Sequence, residues 1–534
     1  MTPGRPCLRA VIVPAVVLAV LAFGQCGVAY AMFTDSLSSQ PGTFQTATMV
    51  APTANSPTNG GCTGSAPVQT NVATSWSASS TLDAGGNYLV SGYNILRSTS
   101  TSGPYSSAGT VTGSPPATTF TDTSPSGAAA PSVYVYSSSS STAQSINSST
   151  YATATVSLRG SGGIEPNDLQ VTPDGTKLVV AEGAAHQVQI VSTATGAVTN
   201  TVTVPTVGST ASDPIAVAIS PDGTTAWIVD KANARVYPIT LATATLGAAV
   251  SVGAQGDPSA IVVAPNGAQV FVADYGSHQV SAITVSTKAV TPITIGGTTG
   301  TPIALAVTPN SGHVYVADQA DNQIDDISTS SLTVTNTIGV ANLANSDVTT
   351  GGDPNILAIT PNGSKLYVAS YQGGSVEDIT VSSDALAGTI ALPPGGVDGA
   401  PLPNAVALTP NGCQLYVDDY DNNKVDVIAV GTDTVGSTPP AIGSTGDPTG
   451  MAATPNGAAV YVANYYDSTV SVISTASNTV VDTPSVSTGG ASPYEITVAP
   501  SLYYYEVASA HGGFVSAASS SVVYSLGWNV GGWQ

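Results

Sequence analysis

Positive charge is scarce in this 534-residue chain. Ten Lys and Arg stand against 32 Asp and Glu, a net charge of −22, and charged residues of both signs make up only 8%. That balance excludes a nucleic-acid partner, because phosphate binding needs clustered Lys and Arg. It excludes a polybasic membrane-surface binder on the same ground. The four cysteines are too few for a disulfide-dense scaffold, and no CxxC or Cys/His spacing marks a metal site. The catalytic signatures G-x-S-x-G, H-E-x-x-H and the P-loop are absent. Disorder is excluded by 42% hydrophobic residues and a mean hydropathy of +0.21. What is abundant is Gly (55) and Pro (37), with Ser and Thr, the composition of many short strands joined by turns.

The N-terminus has a secretory layout. Arg5 and Arg9 precede an uncharged run over 10–33, and Ala29-Tyr30-Ala31 offers a cleavage site before Met32. The run also reaches the roughly 20 residues that span a bilayer. A cleaved signal peptide (1–31) and a membrane anchor through 10–33 are therefore both expected readings, and either places the rest of the chain outside the cell. Gln25 stands where a lipobox before Cys26 needs a small residue, which argues against lipidation. Cys62 and Cys413 are left in the mature chain. They lie in the turn sequences NGGC and PNGC, so two isolated cysteines are the simpler expectation and an extracellular disulfide the alternative.

A repeat organises the middle of the chain. Each unit has an apolar run, a Pro-[Asp/Asn]-Gly turn and a second apolar run. The turn prolines are Pro173, Pro221, Pro265, Pro309, Pro361, Pro410 and Pro455, 44 to 52 residues apart. The second runs read LVVAE, AWIVD, VFVAD, VYVAD, LYVAS, LYVDD and VYVAN. A third and a fourth strand follow, as in VSVIST and NTVVDT. Four short strands per unit, repeated, are the arithmetic of a propeller. The ends complete it: ASPYEITVAP (491–500) is a first strand without a second, and 131–158 holds three strands without a first. The fold expected is all-β, a propeller of eight four-stranded blades closed by strands from both ends, with seven blades as the alternative.

These residues resemble a known family. VYVAN…TVSVISTASNTVVDT and the GDPxxxAxTPNG turn resemble the YVTN-type β-propeller repeat of surface-layer and exported proteins. The flanks resemble a fibronectin type III domain: TSWSAS with Trp76, SGYNILRSTSTSGPYSSAGTV with Tyr93, and TTFTDTSPSG before the propeller, then SLYYYEVASAHGGFVSAASSSVVY after it. The implied organisation is a linker (32–64), the first part of a sandwich (65–128), the propeller (129–500), the closing sandwich strands (501–526) and a tail (527–534). Five strands alone leave an open edge, and two more at the far end complete the sandwich.

Candidate sites are few. The residues before the first-strand prolines include Glu165, Asp213, Asp257, Asp353 and Asp447, with Thr301, Leu402 and Ser492 elsewhere. If the first strand is innermost, the acids gather at one channel mouth, focus a negative potential and attract a cation or cationic ligand. The simpler reading is that Asp-Pro and Glu-Pro open a turn. The calcium-loop-like run Asp419 to Asn423 has Lys424 where a Gly is required, and DQADNQIDD (318–326) fares no better; both read as inter-strand turns. His186 and His278 occupy equivalent repeat positions. No cofactor is expected. The function expected is a non-enzymatic binding protein outside the cell, facing another protein or a cell-wall polymer. The alternatives are a lactonase-like or lyase-like propeller enzyme with its site at the channel mouth, and a structural role in the cell envelope.

Overall fold

A computed structural model describes residues 72–75, 92–98, 106–112, 119–122, 132–137, 142–158, 166–253, 256–296, 300–341, 356–394, 401–436, 440–442, 448–484, 492–511, 514–515 and 522–526. Eight antiparallel sheets form eight blades. Blades 1 to 7 span 166–203, 214–251, 258–294, 302–339, 357–391, 406–435 and 448–482. Blade 8 takes its first strand, Pro493–Val498, from the C-terminal side and its other three, Ser132–Ser137, Thr142–Asn147 and Thr153–Ser157, from the N-terminal side. Ile496 opposite Val135 and Val498 opposite Val133 hold that seam in register. The first strands contact one another in sequence round the whole ring, blade 8 back to blade 1, so they line the channel. The seven-bladed alternative is not what forms.

The burial pattern differs from strand to strand for a geometric reason. Second strands are buried on both faces, as in Gln269–Asp274 and His313–Asp318, because each blade lies between two others. They therefore read as unbroken apolar runs. Fourth strands meet solvent and alternate, as in Ala197–Thr203.

Two chains of contact run round the ring. The Pro-Asx-Gly turns stack blade on blade: Gly412 has φ 67°, and a Cβ there would lie 2.9 Å from Pro361 Cδ of the preceding blade. The stack closes where Gly175 of blade 1 faces Pro500. Farther out, the third residue of each second strand meets the next blade at the residue that ends its third-to-fourth-strand turn. Tyr315 donates to Asp384 at 2.5 Å, Tyr367 to Asp433 at 2.7 Å and Tyr416 to Asn478 at 2.5 Å. Lys288 lies 4.3 Å above the Trp227 ring by the same geometry. Those turn residues, Lys288, Asp384, Asp433 and Asn478, all have positive φ, a conformation that Asn and Asp tolerate better than most.

Outside the propeller, Gly92–Ser98 pairs on one side with Ser106–Thr112 and on the other with Ser501–His511, which also pairs with Val522–Leu526. Strands from before and after the propeller thus share one sheet. Val72–Ser75 pairs with Thr119–Asp122. The simpler expectation for the cysteines is corrected: Cys413 is disulfide-bonded, and the chain's three other cysteines lie outside the described residues. A turn sequence says nothing of what approaches it in space. The expected 10–33 anchor also lies outside the described residues. Among those described, no helix is long and apolar enough to cross a membrane.

The Tyr–Asx contact between blades carries a measurable share of stability. Tyr367→Phe removes a hydrogen bond to a carboxylate and is expected to destabilise the propeller by about 1.5–3 kcal/mol in chemical denaturation. An unchanged midpoint and slope would show the contact to be idle.

Candidate functional site

The face where the chain crosses from one blade to the next is built by the acid that ends the second strand. This residue is buried, and its carboxylate accepts from the backbone N–H just before the proline that opens the first strand of its own blade. Asp230 takes Asp213 N at 2.8 Å, Asp274 takes Asp257 N at 3.0 Å, Asp318 takes Thr301 N at 2.8 Å and Asp419 takes Leu402 N at 3.2 Å. The clip uses the backbone of the pre-proline residue, so Thr301 and Leu402 serve as well as Asp. The repeated "AD" was visible in the sequence, and this is its role.

Of the five pre-proline acids, Asp213 and Asp257 are half-buried on this face. Lys231 Nζ lies 3.4 Å from Asp257 Oδ1. Burial pushes the Asp213 carboxyl above its ordinary range, and Lys231 pulls back against it. Glu165, Asp353 and Asp447 lie outside the described residues.

An aromatic rim surrounds the same mouth. The residue after each second strand donates its N–H to the carbonyl of the pre-proline residue: Lys231 to Asp213, Tyr275 to Asp257, Gln319 to Thr301 and Tyr420 to Leu402. Tyr371 and Tyr465 hold the equivalent positions in blades 5 and 7. All four tyrosines are half-buried. Tyr465 makes edge contacts with Tyr494, at 6.3 Å between centroids, and with Tyr466, at 5.0 Å, and Tyr466 is 62% exposed. Aligning the repeats would have revealed this rim, because a Tyr follows "AD" or its equivalent in four of them.

Inside the channel a carboxyl pair breaks the repeat. Two residues after the first-strand proline most blades have a small side chain: Ala216, Ala260, Ala304, Ala405 and Gly450. Blade 1 has Asp168 and blade 8 has Glu495, and the two side chains share a hydrogen bond between these neighbouring blades. Burial pushes Asp168 up to about 6, against the lowering effect of Val217 N, which donates to its Oδ2 at 2.6 Å. Tyr136 is buried beside the pair and donates to Asn167 O at 2.9 Å. Two carboxyls that share a hydrogen bond, one of them raised by burial, form an arrangement suited to proton transfer.

Two histidines are structural: His186 and His278, both at positive φ, bond through Nδ1 to the carbonyls of Ser212 and Gly300. The side chain of His511 lies outside the described residues. His313 is different. Its Nδ1 is 2.9 Å from Asp326 Oδ1, and Asp384 of blade 5 completes a group whose ligand atoms all lie within 4.8 Å of one another. In blade 5 the equivalent of His313 is Lys365, whose ammonium lies 2.9 Å from Asp378 and 2.6 Å from Asp433. His313 and the two carboxylates beside it tie blade 4 to blade 5, and the same donors suit a divalent cation. The run from Asp419 is a turn, as expected: Asn422 Nδ2 donates to Asp419 Oδ1 at 2.9 Å, and Tyr420–Asn422 forms a short 3-10 helix.

Comparison with known proteins gives the fold. The family "Lactonase, 7-bladed beta-propeller" matches residues 276–390, parts of blades 3 to 5. No curated protein matches the sequence. Among solved structures, the dihydro-heme d1 dehydrogenase NirN in complex with DHE is 12% identical with a TM-score of 0.56, covering 68% of this chain and 74% of its own. Virginiamycin B lyase from Staphylococcus aureus is 15% identical with a TM-score of 0.43, covering 56% and 90%. Hydrazine synthase from Kuenenia stuttgartiensis is 19% identical with a TM-score of 0.44, covering 58% and 95%. At these identities the likeness is one of propeller architecture.

The buried acids set an unusual pH dependence. Burial raises Asp168, Glu182, Asp274, Asp318, Asp325 and Asp418. For Asp174 and Asp222 burial also pushes up, but turn hydroxyls and amides outweigh it and both end lowered. A carboxyl raised in the folded state binds its proton more tightly there than in the unfolded chain. Stability from such groups is therefore gained as pH falls through the folded value and lost as pH rises. For Asp168 the window runs from about 6 down to 3.8. The melting temperature is expected to rise from pH 7 to pH 5, with a smaller rise in Asp168→Asn. A fall over that range would contradict the burial reading. His313→Lys is expected to preserve stability, as Lys365 bridges the same place in blade 5, and His313→Ala to lower it by about 0.5–1.5 kcal/mol in chemical denaturation.

Proposed function

We propose that this chain is a non-enzymatic binding protein of the cell exterior, of the YVTN type, whose propeller presents its crossover face to a partner. The observation that carries this reading is the rim of half-buried tyrosines at positions 275, 371, 420 and 465 around the channel mouth, with Asp213 and Asp257 on the same face at blades 2 and 3. Half-exposed tyrosines combine a flat apolar face with a hydroxyl, and such side chains carry much of the affinity of binding surfaces. Acids among them favour a partner rich in hydroxyl or cationic groups. A cell-wall polymer or another surface protein fits that description, and nucleic acid does not. The export layout of residues 1–33 supports an extracellular location, by cleavage or by anchoring. The sheet shared by strands from before and after the propeller supports a fibronectin type III-like module interrupted by it. A structural envelope role without a discrete ligand remains the alternative to a binding face.

An enzymatic reading has one observation of its own, the Asp168–Glu495 pair beneath the same mouth. It lies outside the segment that matches the lactonase family.

The two readings separate in one set of measurements on the exported chain. Cosedimentation with purified cell-wall polymer is expected, weakened about tenfold by combining Tyr420→Ala with Tyr465→Ala, on roughly 0.5–1.5 kcal/mol per aromatic contact. Retention unaffected by those substitutions would refute the rim as the binding surface. Lactone hydrolysis abolished by Asp168→Asn would replace the binding reading with the enzymatic one.

A further inference from the structure

A cavity of about 500 Å³ opens between blades 3 and 4, lined by Thr294, Gly296, Asp321, Gln323, Asp325 and Thr337, with Val334. Asp325 is 1% exposed, yet its Oδ2 has no hydrogen-bond partner. Its Oδ1 accepts from Thr337 at 2.7 Å. Asp318 is fully buried, and Gln323 Nε2 reaches it at 3.2 Å. Asp318 and Asp321 both push the Asp325 carboxyl upward, in addition to its burial. Buried acids without a compensating cation are costly.

Blade 6 has the same arrangement with the charge compensated. Asp419 and Asp426 stand where blade 4 has Asp318 and Asp325, and Lys424 stands where blade 4 has Gln323. The Lys424 ammonium lies 3.1 Å from Asp419, 2.9 Å from Asp426 and 2.8 Å from the carbonyl of Pro393. The position of Pro393 in the preceding blade corresponds to Gly296, which lines the cavity of blade 4. One blade thus carries its own ammonium between two acids. The other keeps the acids, replaces the lysine with a shorter neutral amide, and has a cavity there.

From this we infer that the cavity between blades 3 and 4 binds a primary ammonium group supplied from outside the chain, held by Asp325 and Asp318. The site lies on the outer part of the crossover face, between fourth strands, apart from the tyrosine rim and independent of it. Such an ammonium is carried by the lysine side chain of a protein partner or by an amino sugar of a polymer, and the chemistry of capture is the same for both.

The test is calorimetric titration of the exported chain with butylammonium at pH 7. Saturable one-to-one binding is expected. Asp325→Asn is expected to weaken it about tenfold or more. Gln323→Lys is expected to abolish it while melting at or above the wild-type temperature, because its ammonium would take the place that Lys424 takes in blade 6. Tyr420→Ala should leave it unchanged, which separates this site from the rim. A lysine-containing tripeptide and a glucosamine trisaccharide form the second arm, and binding of either through the same residues supports the proposal and names the source. Three results overturn it: no saturation with any of the three amines, equal affinity in a folded Gln323→Lys variant, or a Gln323→Lys variant that fails to fold. Tight binding of calcium with no binding of amines also overturns it, in favour of a metal site.

Discussion

Everything in the propeller depends on one seam, the antiparallel pairing of Pro493–Val498 with Ser132–Ser137. A row of blades has two exposed edges and two half-covered faces, and each blade needs neighbours on both sides to bury its second and third strands. Pairing the last first strand with the first second strand removes both edges at once. It also brings the two ends of the propeller together. Ser501–His511 follows directly and pairs with Gly92–Ser98, so segments far apart in sequence share a sheet.

The chemistry departs from the repeat at a few positions, one of them beside the seam. Each blade supplies a clip from the end of its second strand, a turn proline for the next blade's glycine and a contact for the next blade's outer turn. Where these recur, they are structural. The differences between blades carry the functional signal: Asp168 and Glu495 in place of small residues, a pair of acids around Gln323 in blade 4 where blade 6 places Lys424 between its two acids, and His313 where blade 5 has Lys365. Each is a change of charge at a position whose geometry the repeat has already set, so its consequence can be read from the blade that lacks it.

Much of the fold was legible in the sequence, because Pro-Asx-Gly turns and strand runs are local signals. Eight blades followed from the orphan strands at 491–500 and 131–158. The candidate site was less legible. The pre-proline acids were conspicuous, but the clip that positions them uses their backbone and the buried Asp230, Asp274 and Asp318 instead. The Asp168–Glu495 pair joins residues more than 300 positions apart, a proximity that only the closed ring creates. The disulfide of Cys413 was the alternative expectation and not the simpler one, because a turn sequence does not show what approaches it in space. The empty place beside Asp325 required seeing that Gln323 and Lys424 occupy one position in two blades.

The dependence on the seam is tested most directly by hydrogen exchange on a chain truncated before Pro493. The account predicts loss of amide protection in the remaining strands of blade 8 and in blades 1 and 7 beside it, with a lowered melting temperature for the ring. Protection in blades 1 and 7 equal to that of the full chain would contradict it.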